Sequence, residues 1–315
     1  VLQYTSREER CWAWLGAIPH WIYFTTLRQD IDRWITVVVT LSGIGCIFCL
    51  TGLYLGIRDF RRARHQRRLS PYKKFWYKWH HLAGAVFGLF VLTFCFSGMM
   101  SLANVEDFGI RSRLDFNPSQ QLKQMYPENY PLDYRKIIQC HPHQLRQLEW
   151  THFGLIPLYH AQTDSGPMTW DARCTDSLKP LNLTPEDIRD VLQSIHGKEA
   201  NLKIEWLNEQ DTYYVSRKRK LALPVWKVQI DDADASCYYI HPYSGEFRYV
   251  NRPARWQHWA YPALHSLQIP ELTTHPRLWY LIMWILMLGG TFVSLSGFWL
   301  AIQYLRRKIK SRRWK

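Results

Sequence analysis

The sequence predicts an integral membrane α-helical bundle that carries an α+β domain of soluble composition between its spans. Three observations predict it. Three long apolar stretches hold no charged residue, basic residues crowd beside them, and a long polar segment separates the second stretch from the third. The mean hydropathy of −0.29 hides this pattern because it averages two unlike kinds of segment.

The apolar stretches run Trp34–Ile57, Leu82–Leu102 and Leu278–Ile302, and none contains Lys, Arg, Asp or Glu. At 24, 21 and 25 residues each reaches the ~20 residues of helix that a ~30 Å hydrocarbon core requires. Residues 58–78 contain nine basic side chains against Asp59 alone, and seven more basic residues with no acid follow Tyr304. Those two patches contribute +8 and +7 of a net charge of +14, so the remainder of the chain is nearly neutral. Basicity confined to short membrane-flanking segments follows the positive-inside bias. Nucleic-acid binding would call for a basic face on a folded domain.

These signals divide the chain into an outer segment with an interfacial helix (1–33), a span (34–57), a basic cytoplasmic loop (58–78), a second span (79–102), an outer α+β domain (103–277), a third span (278–303) and a basic cytoplasmic tail (304–315). With both patches in the cytoplasm, residues 1–33 lie outside. An outer start without a signal peptide or initiating Met implies at least one upstream span.

Along the chain, residues 11–29 are apolar and aromatic but short, which predicts a helix lying in the interface and bent near Pro19. Within the first two spans, Gly52-x-x-x-Gly56 and Gly84-x-x-x-Gly88 would allow close helix approach. Cys46-x-x-Cys49 has redox-pair spacing, but thiolates are disfavoured in lipid, so helix packing is expected there. On the outer side Cys11, Cys140, Cys174 and Cys237 could pair, in a connectivity the spacing leaves open. Thr184-Pro185-Glu186-Asp187 opens a helix running to His196, with Thr184 as its N-cap. Thr212–Arg217, Pro224–Ile230, Cys237–His241 and Phe247–Val250 read as strands of an antiparallel meander. Residues 111–181 show no sustained period.

Thirteen histidines are present, and surface or hydrogen-bonding roles account for most of them. His141-Pro142-His143 could bind a metal weakly, without further ligand spacing. Five others gather at membrane edges. His80 and His81 start the second span, His258 and His265 precede the third on the outer side, and His20 precedes the first. Imidazoles from facing helices are a common way for a bundle to hold b-type haem, and headgroup hydrogen bonding is the alternative. No Cys-x-x-Cys-His is present for covalent haem attachment.

Several motifs resemble PepSY-associated transmembrane proteins. They include Trp79-His80-His81-Leu82-Ala83-Gly84-Ala85-Val86-Phe87-Gly88 with Phe96-Ser97-Gly98-Met99-Met100-Ser101, and Leu264-His265-Ser266-Leu267 followed by Gly289-Gly290 and Leu295-Ser296-Gly297. Gly16-Ala17-Ile18-Pro19-His20-Trp21-Ile22-Tyr23-Phe24 matches the lead-in to the second span of longer members. Tyr239-Ile240-His241-Pro242-Tyr243-Ser244-Gly245-Glu246 is similar to the closing hairpin of a PepSY domain, with His241 where an Asp is usual.

The resemblance implies a multi-pass protein of the bacterial inner membrane, with four spans in the full-length protein and a periplasmic PepSY-like domain, of which this sequence would lack the first span and most of a first periplasmic domain. It further implies electron transfer through b-type haem, two in the full-length protein, to a ferric-siderophore in the periplasm, releasing Fe(II) for iron uptake. His20 and His265 would ligate an outer haem and His80 or His81 an inner one, with His258 in reserve. The electron donor, a quinol or flavoprotein, is unassigned, as are the catalytic residues. The rival reading is a non-catalytic PepSY membrane protein that binds a peptide, peptidase or assembly partner through the periplasmic domain. A transporter is disfavoured because no span carries an acid or base for coupling.

Overall fold

The structure, a computed structural model, describes residues 4–65, 67–141, 144–217 and 221–312. Two compact units emerge, one from Val1–Phe108 with Gln257–Lys315, the other from Gly109–Trp256.

The first unit opens with α1 (Arg7–Trp12), capped by Ser6 and Glu9 in a reciprocal capping box. A π-helical turn, Ala13–Ala17, leads into α2 (Ile18–Trp21), then α3 (Thr25–Arg28). The expected bend falls at Ile22, whose φ of 54° is left-handed, and not at Pro19, which sits harmlessly in the first turn of α2. The long helix α4 (Ile31–His65) follows, then α5 (Phe75–Met100). Both outrun the apolar stretches that predicted them, because Arg, Lys and Ala sustain a helix beyond the membrane; the basic loop is therefore helical up to His65.

Apolar side chains on these helices face outward. Phe48 is 71% exposed on the protein and Val86 63%, as lipid contact demands. Helix α5 packs against α4. Gly88 makes that approach possible, since a Cβ there would lie 2.8 Å from Leu53. Gly52, Gly56 and Gly84 do not serve as expected, for a Cβ on any of them meets nothing within 4 Å. Cys95 Sγ lies 3.3 Å from the Cβ position of Gly45, which places a span cysteine in helix packing. All seven cysteines are free, Cys237 buried and Cys11, Cys140 and Cys174 exposed.

The second unit begins with α6 (Pro118–Gln124) and α7 (Tyr134–Cys140). An antiparallel sheet follows from β1 (Leu145–Phe153), β2 (Ile156–Thr163), β3 (Gly166–Asp171) and β4 (Lys179–Pro180). Its second strand is buried at nearly every position, so the alternation that signals a strand is missing from the sequence. Helix α8 (Pro185–His196) carries the expected Thr184 cap, completed by Asp187. A second antiparallel meander comprises β5 (Leu202–Leu207), β6 (Val225–Ile230), β7 (Cys237–Ile240) and β8 (Phe247–Val250). The expected strand at Thr212–Arg217 is instead a turn closed by an Asp211–Tyr214 bridge, its Tyr214 ring stacked on Tyr239. Leu158, Ile188, Leu192, Val228, Tyr238 and Ile240 share one core.

The chain returns through α9 (Arg252–His258), a π-helical turn (Trp259–Ala263), α10 (Leu264–Ser266), α11 (Pro270–Thr273) and α12 (Pro276–Arg312). Residues 257–277, expected in the outer domain, belong to the membrane unit. Their aromatic π-turn and α10 pack on α5, which gives this apolar stretch a surface to cover. Helix α12 packs on the same helix, and a Cβ on Gly289 would run into the Phe87 ring.

The membrane unit contains an internal repeat. His20, the left-handed Ile22, the start of α3, the start of α4 and Trp34 are each followed 245 positions later by His265, the left-handed Leu267, the starts of α11 and α12, and Trp279. Trp34 Nε1 donates to the carbonyl of Trp21 at 2.8 Å, and Trp279 Nε1 donates to that of Ser266 at 2.8 Å. In each copy the residue receiving the indole bond directly follows the histidine.

Candidate functional site

The repeat sets two histidines side by side. A π-turn and a left-handed residue bracket each, turning the short helix back toward the bundle, and the buried tryptophan pins the carbonyl beside it. The His20 and His265 ring centroids are 5.8 Å apart, with planes inclined by 45°. Around them, Phe94 and Tyr261 stand 6.1 and 5.5 Å from the His265 ring, and Trp21 lies edge-on to His20. His265 Nδ1 lies 3.0 Å from Ser97 Oγ on α5. Burial first, and neighbouring His20 second, hold the His265 imidazole below the ordinary histidine value, which favours the neutral ring.

His80 and His81 part company. His80 turns toward α12, its Nδ1 2.9 Å from Ser296 Oγ. His81 turns toward α4 and is buried, its Nε2 3.1 Å from the carbonyl of Gly56. The Nδ1 of His81 is buried without a hydrogen-bond partner among the described residues. The consecutive side chains diverge by the ~100° helical step. His258 is buried with its ring edge-on to Trp259. The geometry thus brings His20 and His265 together and places His80 and His81 on different helix neighbours.

Two nitrogens each about 2 Å from a shared metal put coaxial ring centres roughly 6 Å apart, close to the observed separation. Imidazoles that share one metal ion need not be coplanar, so a 45° inclination is admissible. A Cβ on Gly16, about one turn before His20, would meet nothing within 4 Å. The ring separation and the open surface at Gly16 are compatible with an iron shared by His20 and His265. No cluster of three or more metal-ligating side chains occurs among the described residues. His143 of the suggested His141–His143 pair lies outside them, while His141 bonds the Ile137 carbonyl and packs on Trp170.

Sequence reasoning did not single out Ser97 and Ser296. Their signal was the recurrence of a Ser-Gly pair, Ser97-Gly98 and Ser296-Gly297, in two spans.

The architecture defines a multi-pass membrane bundle with three candidate spans and a separate α+β unit. The profile of the PepSY-associated TM region matches residues 20–181, just over half of the chain, and the protein belongs to that family. No curated protein and no solved structure matches the chain.

Proposed function

We propose that the protein is a haem b-dependent electron carrier of the bacterial inner membrane, in which His20 and His265 would hold a periplasmic-side haem. The observation that carries this reading is the His20–His265 ring pair at 5.8 Å, formed by two elements of an internal repeat. When bound, the haem supplies one-electron redox chemistry at an iron whose axial ligands tune its potential. The chain's own contribution is to orient two imidazoles, flank that of His265 with Phe94 and Tyr261, and fix their backbone through Trp34 and Trp279. At the opposite end of α5, His80 is the proposed ligand of a second haem. Its Nδ1 is engaged by Ser296, whereas it is the Nε2 of His81 that is held, by the Gly56 carbonyl.

The proposed acceptor is ferric iron held by a siderophore. Siderophore oxygen donors are hard ligands suited to Fe(III), so one-electron reduction weakens the complex and frees Fe(II). The family resemblance of the transmembrane motifs supports that assignment. In the test, reduced protein in detergent is mixed anaerobically with a ferric-siderophore and a ferrous-specific chelator. Coupled haem oxidation and ferrous chelate formation are expected. Reduced haem that stays reduced in the presence of several such chelates would remove the substrate assignment.

A further inference from the structure

Two histidines of the membrane unit, His80 and His265, are each bound to a buried serine and share a local design that bears on which ring nitrogen is available. Ser97 is fully buried on α5, and its hydroxyl lies 3.3 Å from the carbonyl of Phe94, three residues back in its own helix, and 3.0 Å from His265 Nδ1. Ser296, 2% exposed on α12, repeats this arrangement with the carbonyl of Val293 at 3.1 Å and His80 Nδ1 at 2.9 Å. A hydroxyl has one proton. With the hydroxyl donating to its own helix carbonyl in both copies, the serine oxygen is left to accept from the imidazole. Nδ1 must then carry hydrogen, and a neutral ring keeps its lone pair on Nε2.

Each serine precedes a glycine. A Cβ on Gly297 would crowd His80 Cε1 at 3.2 Å, so that glycine makes room for the ring, while one on Gly98 would be in ordinary contact with His265 Cε1 at 3.9 Å. His81 is the contrast in the same helix. Its Nε2 meets a backbone carbonyl at 3.1 Å, so Nε2 carries the hydrogen there and is not open to a metal. The arrangement is also reciprocal. Helix α5 offers His80 to the serine of α12 and its own Ser97 to the histidine that precedes α12. These two positions on α5 are 17 residues apart, about 26 Å along the helix axis.

We infer that Ser97 and Ser296 are positioning residues that lock His265 and His80 in the Nδ1–H tautomer and so present Nε2 to iron, one at each end of the bundle. This deepens the haem reading and rests on it. Outer partners of metal-bound imidazoles fix ring orientation and tautomer and raise ligand basicity.

The test uses the full chain. Nitrogen-15 spectra of histidine-labelled apoprotein should show Nδ1–H at His265 and His80 and Nε2–H at His81; Nε2–H at His265 and His80 would overturn the inference without any variant. In haem-loaded protein, Ser97→Ala should weaken haem retention about 10- to 100-fold and shift the midpoint potential, and Ser97→Thr, which keeps the hydroxyl, should recover both. Ser296→Ala should leave the His20–His265 haem unchanged and convert His80 to a mixture of tautomers. Wild type that binds haem, with Ser97→Ala equal to it in retention and potential, overturns the serine role and leaves the haem reading standing. A colourless, folded wild type from haem-replete cells overturns both.

Discussion

Trp279→Phe isolates what the repeated indole bond does for the segment bearing His265. The substitution keeps an aromatic ring at a position only 7% exposed and deletes the donor that reaches the Ser266 carbonyl at 2.8 Å. Polar contacts inside membrane bundles average about 0.6 kcal/mol, and an intramolecular hydrogen bond in general contributes up to about 1.5 kcal/mol. Those bounds raise the population of locally open 264–275 segment about 3- to 13-fold. Native-state hydrogen exchange reads this directly as faster exchange in peptides covering 264–275 relative to α5, which the substitution does not touch. Trp34→Phe should produce the same acceleration around 21–29 and leave 264–275 alone, since the two copies make separate bonds. Exchange at 264–275 that is unchanged in Trp279→Phe, or accelerated equally across all helices, would refute the claim that the indole pins this segment.

Gly289→Ala should lower the melting temperature of the detergent-solubilised bundle by overpacking worth about 1–3 kcal/mol, because its Cβ would run into the Phe87 ring, while Gly56→Ala should be near neutral. Thr184→Ala removes the cap of α8 and should cost about 1 kcal/mol in urea unfolding of the α+β unit followed by tryptophan fluorescence. His196 is buried beside Asp232 and the Tyr238 hydroxyl, and burial, outweighing Asp232, pushes its folded-state value down. The unfolded chain then binds the extra proton. Its contribution to stability is full above the unfolded value near 6.5 and is lost as pH falls through that value toward the folded one. The urea midpoint should therefore drop on acidification, and His196→Gln should flatten the drop without abolishing it, because burial depresses His241 in the same direction.

The sequence was most legible where one physical rule dominates. Uncharged length marked all three spans, and Thr184 with its proline and acids marked α8. Legibility failed where tertiary contact decides. Strand β2 is buried on both faces and so shows no alternation. Thr212–Arg217 has strand-forming residues but no neighbouring strand to pair with. At the site, the edge histidines stood out as a chemical type in a distinctive place. Which of His80 and His81 faces which helix depends on rotation about α5, and spacing cannot give that. The left-handed Ile22 and Leu267 are non-glycine residues without a local turn signature, so the 245-residue repeat is carried by backbone shape and escapes a residue-by-residue comparison.

The central claim is that His20 and His265 together hold haem iron. The most direct measurement is the absorption spectrum of the purified full chain from haem-replete cells, oxidised and dithionite-reduced, beside His265→Ala, His20→Ala and His81→Ala. A reducible low-spin Soret band is expected in the wild type, with one haem equivalent lost in each of the first two variants and retained in the third. Equal haem content in wild type, His265→Ala and His20→Ala would contradict the account, as would loss of that haem in His81→Ala alone.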